Sequence, residues 1–179
     1  MTHCGSTAPP DYFSLFNLEP RFALLLDELD IAYRTLASQV HPDRFAAGTA
    51  AEQRRALELA THANEAYRAL KTPLLRARHL LGLRGVEIGE SGGAMRPVFL
   101  DRQIECREAL GDARMTRDAA ALRELGASVR EHAAALSTGL AAQLDTLRDD
   151  AGAVESVLQL MFLDKLLADI DDAFDELEA

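Results

Sequence analysis

Five histidines, two cysteines and 29 carboxylates give this 179-residue chain groups that could move protons or hold a metal, but their spacing assembles neither device. His62 and His79 fall within helical patterns with no Cys or carboxylate at ligand spacing, so each reads as an ordinary surface or half-buried histidine. His3-Cys4 reads as part of a floppy terminus. Cys4 and Cys106 form no Cys-x-x-Cys pair, which removes a disulfide framework and a zinc module together. Asp169-Ile170-Asp171-Asp172 superficially matches the start of a calcium loop, yet the glycine of the sharp turn is absent and the segment has helical spacing. There is no glycine-rich phosphate loop and no catalytic constellation, so the chain is not expected to be an enzyme or to need a cofactor or metal.

The residues with most chemical content are His41-Pro42-Asp43. His41 lacks the companions of a general base or a metal ligand, so the tripeptide reads as a contact loop. Pro42 fixes its own φ and pushes His41 out of the α region, so the preceding helix must stop and Asp43 is held at a stiff corner. A carboxylate so placed can meet a partner's arginine in fork geometry. The alternative is a plain helix-ending turn.

Helical spacing dominates the elements that must position this loop, and the expected fold class is all-α with no internal repeat. A short first helix covers about Asp11 to Phe16. A second, from about Leu26 to Val40, sets Leu29, Tyr33, Leu36 and Val40 on one stripe. A third, from about Ala50 to Lys71, answers with Ala56, Leu59, Ala60, Ala63, Tyr67 and Leu70, and the two should pack as an antiparallel hairpin around the turn. Thr72-Pro73 ends the third helix, and Pro73 suits the first turn of a fourth running to about Leu81. Gly85, Gly89, Gly92 and Gly93 then break helical order. Three further segments, about Pro97 to Leu110, Thr116 to Arg148 and Ala151 to Leu177, suffice for a three-helix bundle, with breaks expected near Gly111-Asp112 and Asp149 to Gly152.

The net charge of −10 is unevenly distributed. Residues 1–83 carry 9 basic and 9 acidic groups, whereas residues 84–179 carry 10 and 20, so the whole excess lies in the second part. Nucleic acid is an unsuitable partner, because binding it needs a basic face. The acidic end, Asp169, Asp171, Asp172, Asp175, Glu176 and Glu178, reads as a solvated helix terminus or as a steering charge for a basic partner. Apolar runs such as Phe22-Ala23-Leu24-Leu25-Leu26 are too short to span a bilayer, and the first ten residues do not read as a signal peptide. No membrane association is expected, and a reducing cytoplasm fits the cysteine usage.

The segment from Gln39 to Phe45 resembles the J domain, the module by which co-chaperones engage DnaK-type ATPase chaperones. The match extends further. The segments Asp11 to Phe16, Asn64 to Leu70 and Pro73 to Ala77 resemble one branch, HscB, whose members are J-type co-chaperones dedicated to iron-sulfur cluster assembly. The segments Phe99 to Glu108 and Phe162 to Leu166 resemble that branch's C-terminal helical domain, and the resemblance covers about residues 11 to 178. It implies a disordered N-terminus over 1–10, a J domain over 11–82, a linker over 83–94 and a C-terminal three-helix scaffold-binding domain over 95–179.

The resemblance also implies roles. His41, Pro42 and Asp43, assisted by Arg44 and Arg34, would bind the chaperone. The second helix departs from the family's basic face, with Ala32, Ser38 and acidic Asp27, Glu28 and Asp30. Leu100, Asp101, Ile104, Glu105, Glu108 and Phe162 match positions that bind IscU, the scaffold on which clusters are built. Periodicity alone allows Leu100, Ile104 and Phe162 to be core residues instead. A methionine is more usual at 101, so Asp101→Met is expected to tighten binding to an apolar partner surface. Cys106 reads as a small hydrophobe rather than a cluster ligand. The implied function is a co-chaperone that presents an IscU-like scaffold to a specialised DnaK-type chaperone, HscA, and stimulates its ATPase. The alternatives are a general J-domain co-chaperone for unfolded clients, which would more naturally carry a Gly/Phe-rich segment or zinc-binding cysteines, and a purely structural helical adaptor.

Overall fold

The computed structural model describes residues 11–45, 48–88 and 97–178. The expected disordered N-terminus, and residues 89–94 of the expected linker, lie outside them. The fold is all-α, with no strand among the described residues, and the chain divides into two compact units, Met1–Val86 and Glu87–Ala179.

The first unit contains α1 (Tyr12–Leu15), α2 (Leu26–Gln39), α3 (Ala50–Lys71) and α4 (Pro73–Leu83), with a single 3-10 turn over Pro42–Phe45. Asp11 caps α1 by accepting the Phe13 N–H at 3.0 Å, which turns Phe13 and Phe16 into the core. The stripe expected on α2 faces inward, with Leu29 and Val40 buried and Tyr33 and Leu36 half-buried. Thr49 and Glu52 form a reciprocal capping box that starts α3, and its bonds to Thr49 hold the Glu52 carboxyl below the usual range. The α3 stripe is shifted from expectation: Leu59 is 36% exposed, while Ala66 is fully buried. The reason is that α3 packs against α1 and α4 as well as α2, so its buried arc is wider than a two-helix hairpin needs.

Polar side chains pin this unit together. The rings of Tyr33 and Tyr67 stack with centroids 4.2 Å apart. Tyr33 donates to Asn64 Oδ1 at 2.7 Å and Tyr67 to Asp30 Oδ1 at 2.8 Å, crossing between α2 and α3 at two levels. Lys71 donates to the Tyr67 hydroxyl, a bond that raises its pKa, and sits 3.7 Å from Asp30. Arg76, only 6% exposed, donates through Nε to Leu70 O at 2.6 Å and through a guanidinium NH to Phe22 O at 2.7 Å. One buried cation therefore covers carbonyls at the end of α3 and fastens the segment leading into α2.

The second unit contains α5 (Pro97–Thr116), α6 (Ala119–Ala141), which runs on as a π-helical turn over Ala142–Leu147, and α7 (Asp150–Glu178). Its core is aliphatic: Leu110, Ala113, Leu122, Val129, Leu163, Leu166, Ile170 and Ala173 form one cluster. The break expected at Gly111-Asp112 is absent. Glycine in a helix interior costs about 1 kcal/mol, and the burial of Leu110 and Ala113 on either side holds the helix through it. The turn comes instead at Arg117, in a left-handed conformation with φ 52°, followed by Asp118, which accepts from Ala120 and Ala121 N–H at 2.9 and 3.0 Å. Arg148, φ 54°, closes α6, and Asp149 accepts the Gly152 N–H at 2.9 Å. A Cβ at Gly152 would collide with the Asp149 carboxylate as it stands, so a larger residue there would make that side chain turn.

The acidic end of α7 is not left to solvent alone. Arg117 donates to Leu177 O at 3.1 Å in the last turn, and Arg114, which donates to Asp169 O at 2.8 Å further back, lies 3.9 Å from Glu176, which brings positive charge to the end of a helix whose own carboxylates disfavour it.

Candidate functional site

The tripeptide follows the end of α2 directly. Val40 closes that helix, its N–H bonding Leu36 O at 3.1 Å, and His41 is exposed in the non-helical position that Pro42 enforces. Pro42, Asp43, Arg44 and Phe45 form the 3-10 turn, with Arg44 N–H returning to His41 O at 3.0 Å. The turn is braced from α3: the Gln53 amide donates to Phe45 O at 3.1 Å and to Gly48 O at 3.4 Å. Behind His41, between α2 and α3, lies a cavity of about 150 Å³ lined by Ala37, Val40, His41, Ala60, Ala63 and Asn64. The small side chains that let the two helices approach leave it open at one side.

Arg44 turns back over α2. Its guanidinium donates to Ser38 O at 3.4 Å, one helical turn beyond exposed Arg34, so the two cations share the outer face of α2. Sequence spacing alone could not place Arg44 there, because the bond depends on the tight 3-10 turn. Asp27 and Glu28 are exposed toward the start of the same helix, and Ile31 between the acidic and basic ends is 60% exposed. The face is therefore mixed rather than uniformly basic.

On α5 the structure separates two neighbouring stripes that periodicity could not rank. Phe99, Cys106, Leu110 and Ala113 point inward, Cys106 only partly. Leu100 and Ile104 point out, 45% and 57% exposed, so they are not core residues. Phe162 of α7 lies between these cases: half-buried, it meets the edge of Phe99 with centroids 5.7 Å apart and is covered by the Arg107 guanidinium 5.7 Å from its ring centre. Asp101, Glu105, Glu108 and Asp112 are all exposed, at a spacing of four, three and four that keeps them on one ridge beside Leu100 and Ile104. Arg107 and Asp112 were not among the expected site residues. Their signal was present, since each stands seven residues from an expected one and shares its face.

Among the described residues no group of His, Cys, Asp and Glu is arranged to hold a metal ion. Burial pushes the Cys106 thiol up from its ordinary pKa, which disfavours the thiolate that a cluster ligand needs. His79 is a structural residue: buried, it accepts the Tyr12 N–H on Nε2 at 3.1 Å and stacks on the Tyr12 ring with centroids 4.3 Å apart. No described helix is long and apolar enough to cross a membrane.

Comparison with known proteins adds identity to this geometry. A family model described as the HSCB C-terminal oligomerisation domain matches residues 95–171. The co-chaperone protein HscB homolog of Burkholderia mallei (strain SAVP1) is 48% identical over 168 residues, covering 93% of this chain and 95% of that protein. The chain belongs to the HscB co-chaperone family. The HscB homolog of Paraburkholderia phymatum is 45% identical over the same length. Two solved HscB structures share the architecture. The chaperone HscB from Vibrio cholerae has a TM-score of 0.82 at 32% identity, covering 94% of this chain and 99% of that one. The human co-chaperone HscB has a TM-score of 0.84 at 28% identity, covering 90% and 81%. As expected for an HscB protein, the molecule combines an N-terminal J-type unit with a C-terminal helical bundle.

Proposed function

We propose that this HscB-family co-chaperone serves iron-sulfur cluster assembly by binding an IscU-like scaffold on α5 and α7 and presenting it to an HscA-like ATPase through the J-type unit. The observation that carries the reading is the exposure of Leu100 and Ile104 beside half-buried Phe162, because aliphatic side chains left outside a filled core are available to a partner. Leu100, Ile104 and Phe162 supply apolar contact, and Asp101, Glu105 and Glu108 supply a charged flank. His41, Pro42, Asp43, Arg44 and Arg34 dock the chaperone.

The division of labour is proximity with conformational bias. Docking of the tripeptide favours the hydrolysis-competent state of the ATPase, and the bundle raises the local concentration of client beside it. A cytoplasmic location and function without a cofactor on this chain belong to the same reading. Titrating the protein into a purified HscA-type ATPase, with and without IscU-type scaffold, tests it. Expected is stimulation by the co-chaperone that rises further with scaffold. Stimulation indifferent to scaffold but responsive to unfolded polypeptide would replace it with a general J-type role, and no stimulation would leave a helical adaptor.

A further inference from the structure

The α5 surface is asymmetric in charge across its width. At about 100° per residue, Arg107 stands about 20° to one side of Leu100 and about 60° from Ile104, whereas Glu108, Asp101, Asp112 and Glu105 all lie on the other side. All five are exposed, so among the described residues the apolar strip has an acidic ridge along one edge and Arg107 along the other, where Arg114, two turns further on, is already turned to the Asp169 carbonyl of α7. Arg107 is positioned: its guanidinium rests over the face of Phe162, 5.7 Å from the ring centre. A guanidinium carries five N–H donors in a rigid fork, and a ring face engages at most a small part of them. The Arg107 guanidinium therefore sits at the boundary between Phe162 and the exposed strip of Leu100 and Ile104, with N–H donors left for a partner.

We propose that Arg107 is a specificity-determining contact that takes a carboxylate of the docked scaffold. This rests on the reading of α5 as the scaffold surface and adds to it the chemistry of the partner. The segment that fits presents apolar side chains to Leu100 and Ile104, basic groups to the ridge of Asp101, Glu105, Glu108 and Asp112, and an acidic group to Arg107. A partner basic throughout would satisfy the ridge but bury Arg107 against like charge, which costs affinity. Arg107 therefore fixes which way round the partner lies, a task the uniform acidic ridge cannot perform.

The test is calorimetric titration of purified apo IscU-type scaffold into the full chain and into Arg107→Met, Arg107→Glu and Ile104→Ala, at low and at high salt. Methionine keeps an unbranched apolar side chain next to Phe162 and removes the guanidinium, its charge and its N–H donors. Arg107→Met should bind about tenfold more weakly at low salt, with its deficit shrinking at high salt, and Arg107→Glu more weakly still. Thermal unfolding of both should match the parent protein. If Arg107→Met binds like the parent while Ile104→Ala is weakened, Arg107 merely shields Phe162 and the proposal fails with the scaffold reading intact. If a weakening by Arg107→Met is the same at both salts, the contact is not ionic and the proposal fails in the same way. If Ile104→Ala also binds like the parent, the scaffold reading itself falls.

Discussion

The tripeptide turn and the α5 face are assigned one task, contact with another protein, yet they rest on opposite kinds of support. The turn is short irregular backbone held from outside, by Gln53 on the Phe45 and Gly48 carbonyls and by Arg44 on Ser38 O. The α5 face is an ordinary helix whose other side is anchored by Phe99, Leu110 and Ala113. Both units have an apolar core, but side-chain hydrogen bonds join α2 to α3 midway along the first, whereas in the second Arg114 and Arg117 bond α7 toward its acidic end and an aliphatic cluster fills the middle. A polar clamp is directional and fails when one partner is lost, whereas an exposed residue on a packed helix can be changed without disturbing its core. Function and folding should therefore separate cleanly on α5 but only at selected positions in the first unit.

The largest effect expected is at Asp43. Asp43→Asn should abolish stimulation of an HscA-type ATPase and leave helicity and scaffold affinity unchanged, because the substitution removes charge without altering the backbone that Pro42 fixes. Parallel ATPase and binding titrations check it, and normal stimulation by the variant would break the comparison at its first term. Next is Arg76→Met, which should destabilise the first unit by about 1–3 kcal/mol by removing the buried guanidinium that bonds Leu70 O and Phe22 O, the latter keeping the Leu24 N–H at 2.8 Å. The chain has three tyrosines, Tyr12, Tyr33 and Tyr67, all in the first unit, and no tryptophan. Tyrosine emission in urea therefore reports that unit alone. Its midpoint should fall, while scaffold binding by the second unit stays intact.

On the other side of the comparison, Ile104→Ala and Leu100→Ala should each weaken scaffold binding by about 1–3 kcal/mol, with folding stability altered by no more than about 0.5 kcal/mol. Leu166→Ala, on the buried side of α7, should instead cost about 2–5 kcal/mol of stability. Binding isotherms beside thermal unfolding separate the two classes. Phe162→Ala should lower both quantities, because that ring belongs partly to each surface.

Much of this arrangement was legible before any coordinates. Thr72-Pro73 marks the end of α3 because proline sterics are local. Gly111 misleads for the converse reason: its propensity is local, but the burial that carries α5 through it is not. Arg76 and His79 were invisible as clamps, since their partners Phe22 and Tyr12 lie 54 and 67 residues away. Leu100 and Ile104 show an intermediate case. Periodicity puts them on one stripe and Phe99 and Leu110 on its neighbour, but only packing decides which stripe is covered.

A smaller effect belongs to His79. Burial holds its folded pKa below the ordinary 6.5, with Asp11 at 4.0 Å opposing, so the unfolded chain binds the proton first. Its contribution is complete above about pH 6.5 and is lost as pH falls below that value, when Nε2 must gain a proton and can no longer accept from Tyr12. The tyrosine-detected urea midpoint should therefore drop on acidification below pH 6.5 and drop less in His79→Gln. An unchanged pH profile in that variant would assign the acid sensitivity elsewhere and leave the α1 clamp without an energetic role.

The smallest effect is expected at Asp101, where its exposed place on α5 favours the opposite sign to the one its resemblance implies. Read as an intruder in an apolar patch, Asp101 should be improved by methionine. Its exposed position, about 100° around the helix from Leu100, puts it instead on the ridge with Glu105, Glu108 and Asp112. A ridge carboxylate stays at the wet edge of an interface, where charge alters encounter and orientation more than the final contact. Asp101→Met should accordingly weaken scaffold binding by less than about fivefold at low salt, chiefly through a slower association rate, and the difference should vanish as salt is raised. Stopped-flow association measured across a salt series decides the matter. Tighter binding by Asp101→Met at every salt concentration would place residue 101 inside the apolar contact after all, and would mean that the scaffold lies further around α5 than Leu100 and Ile104 alone define.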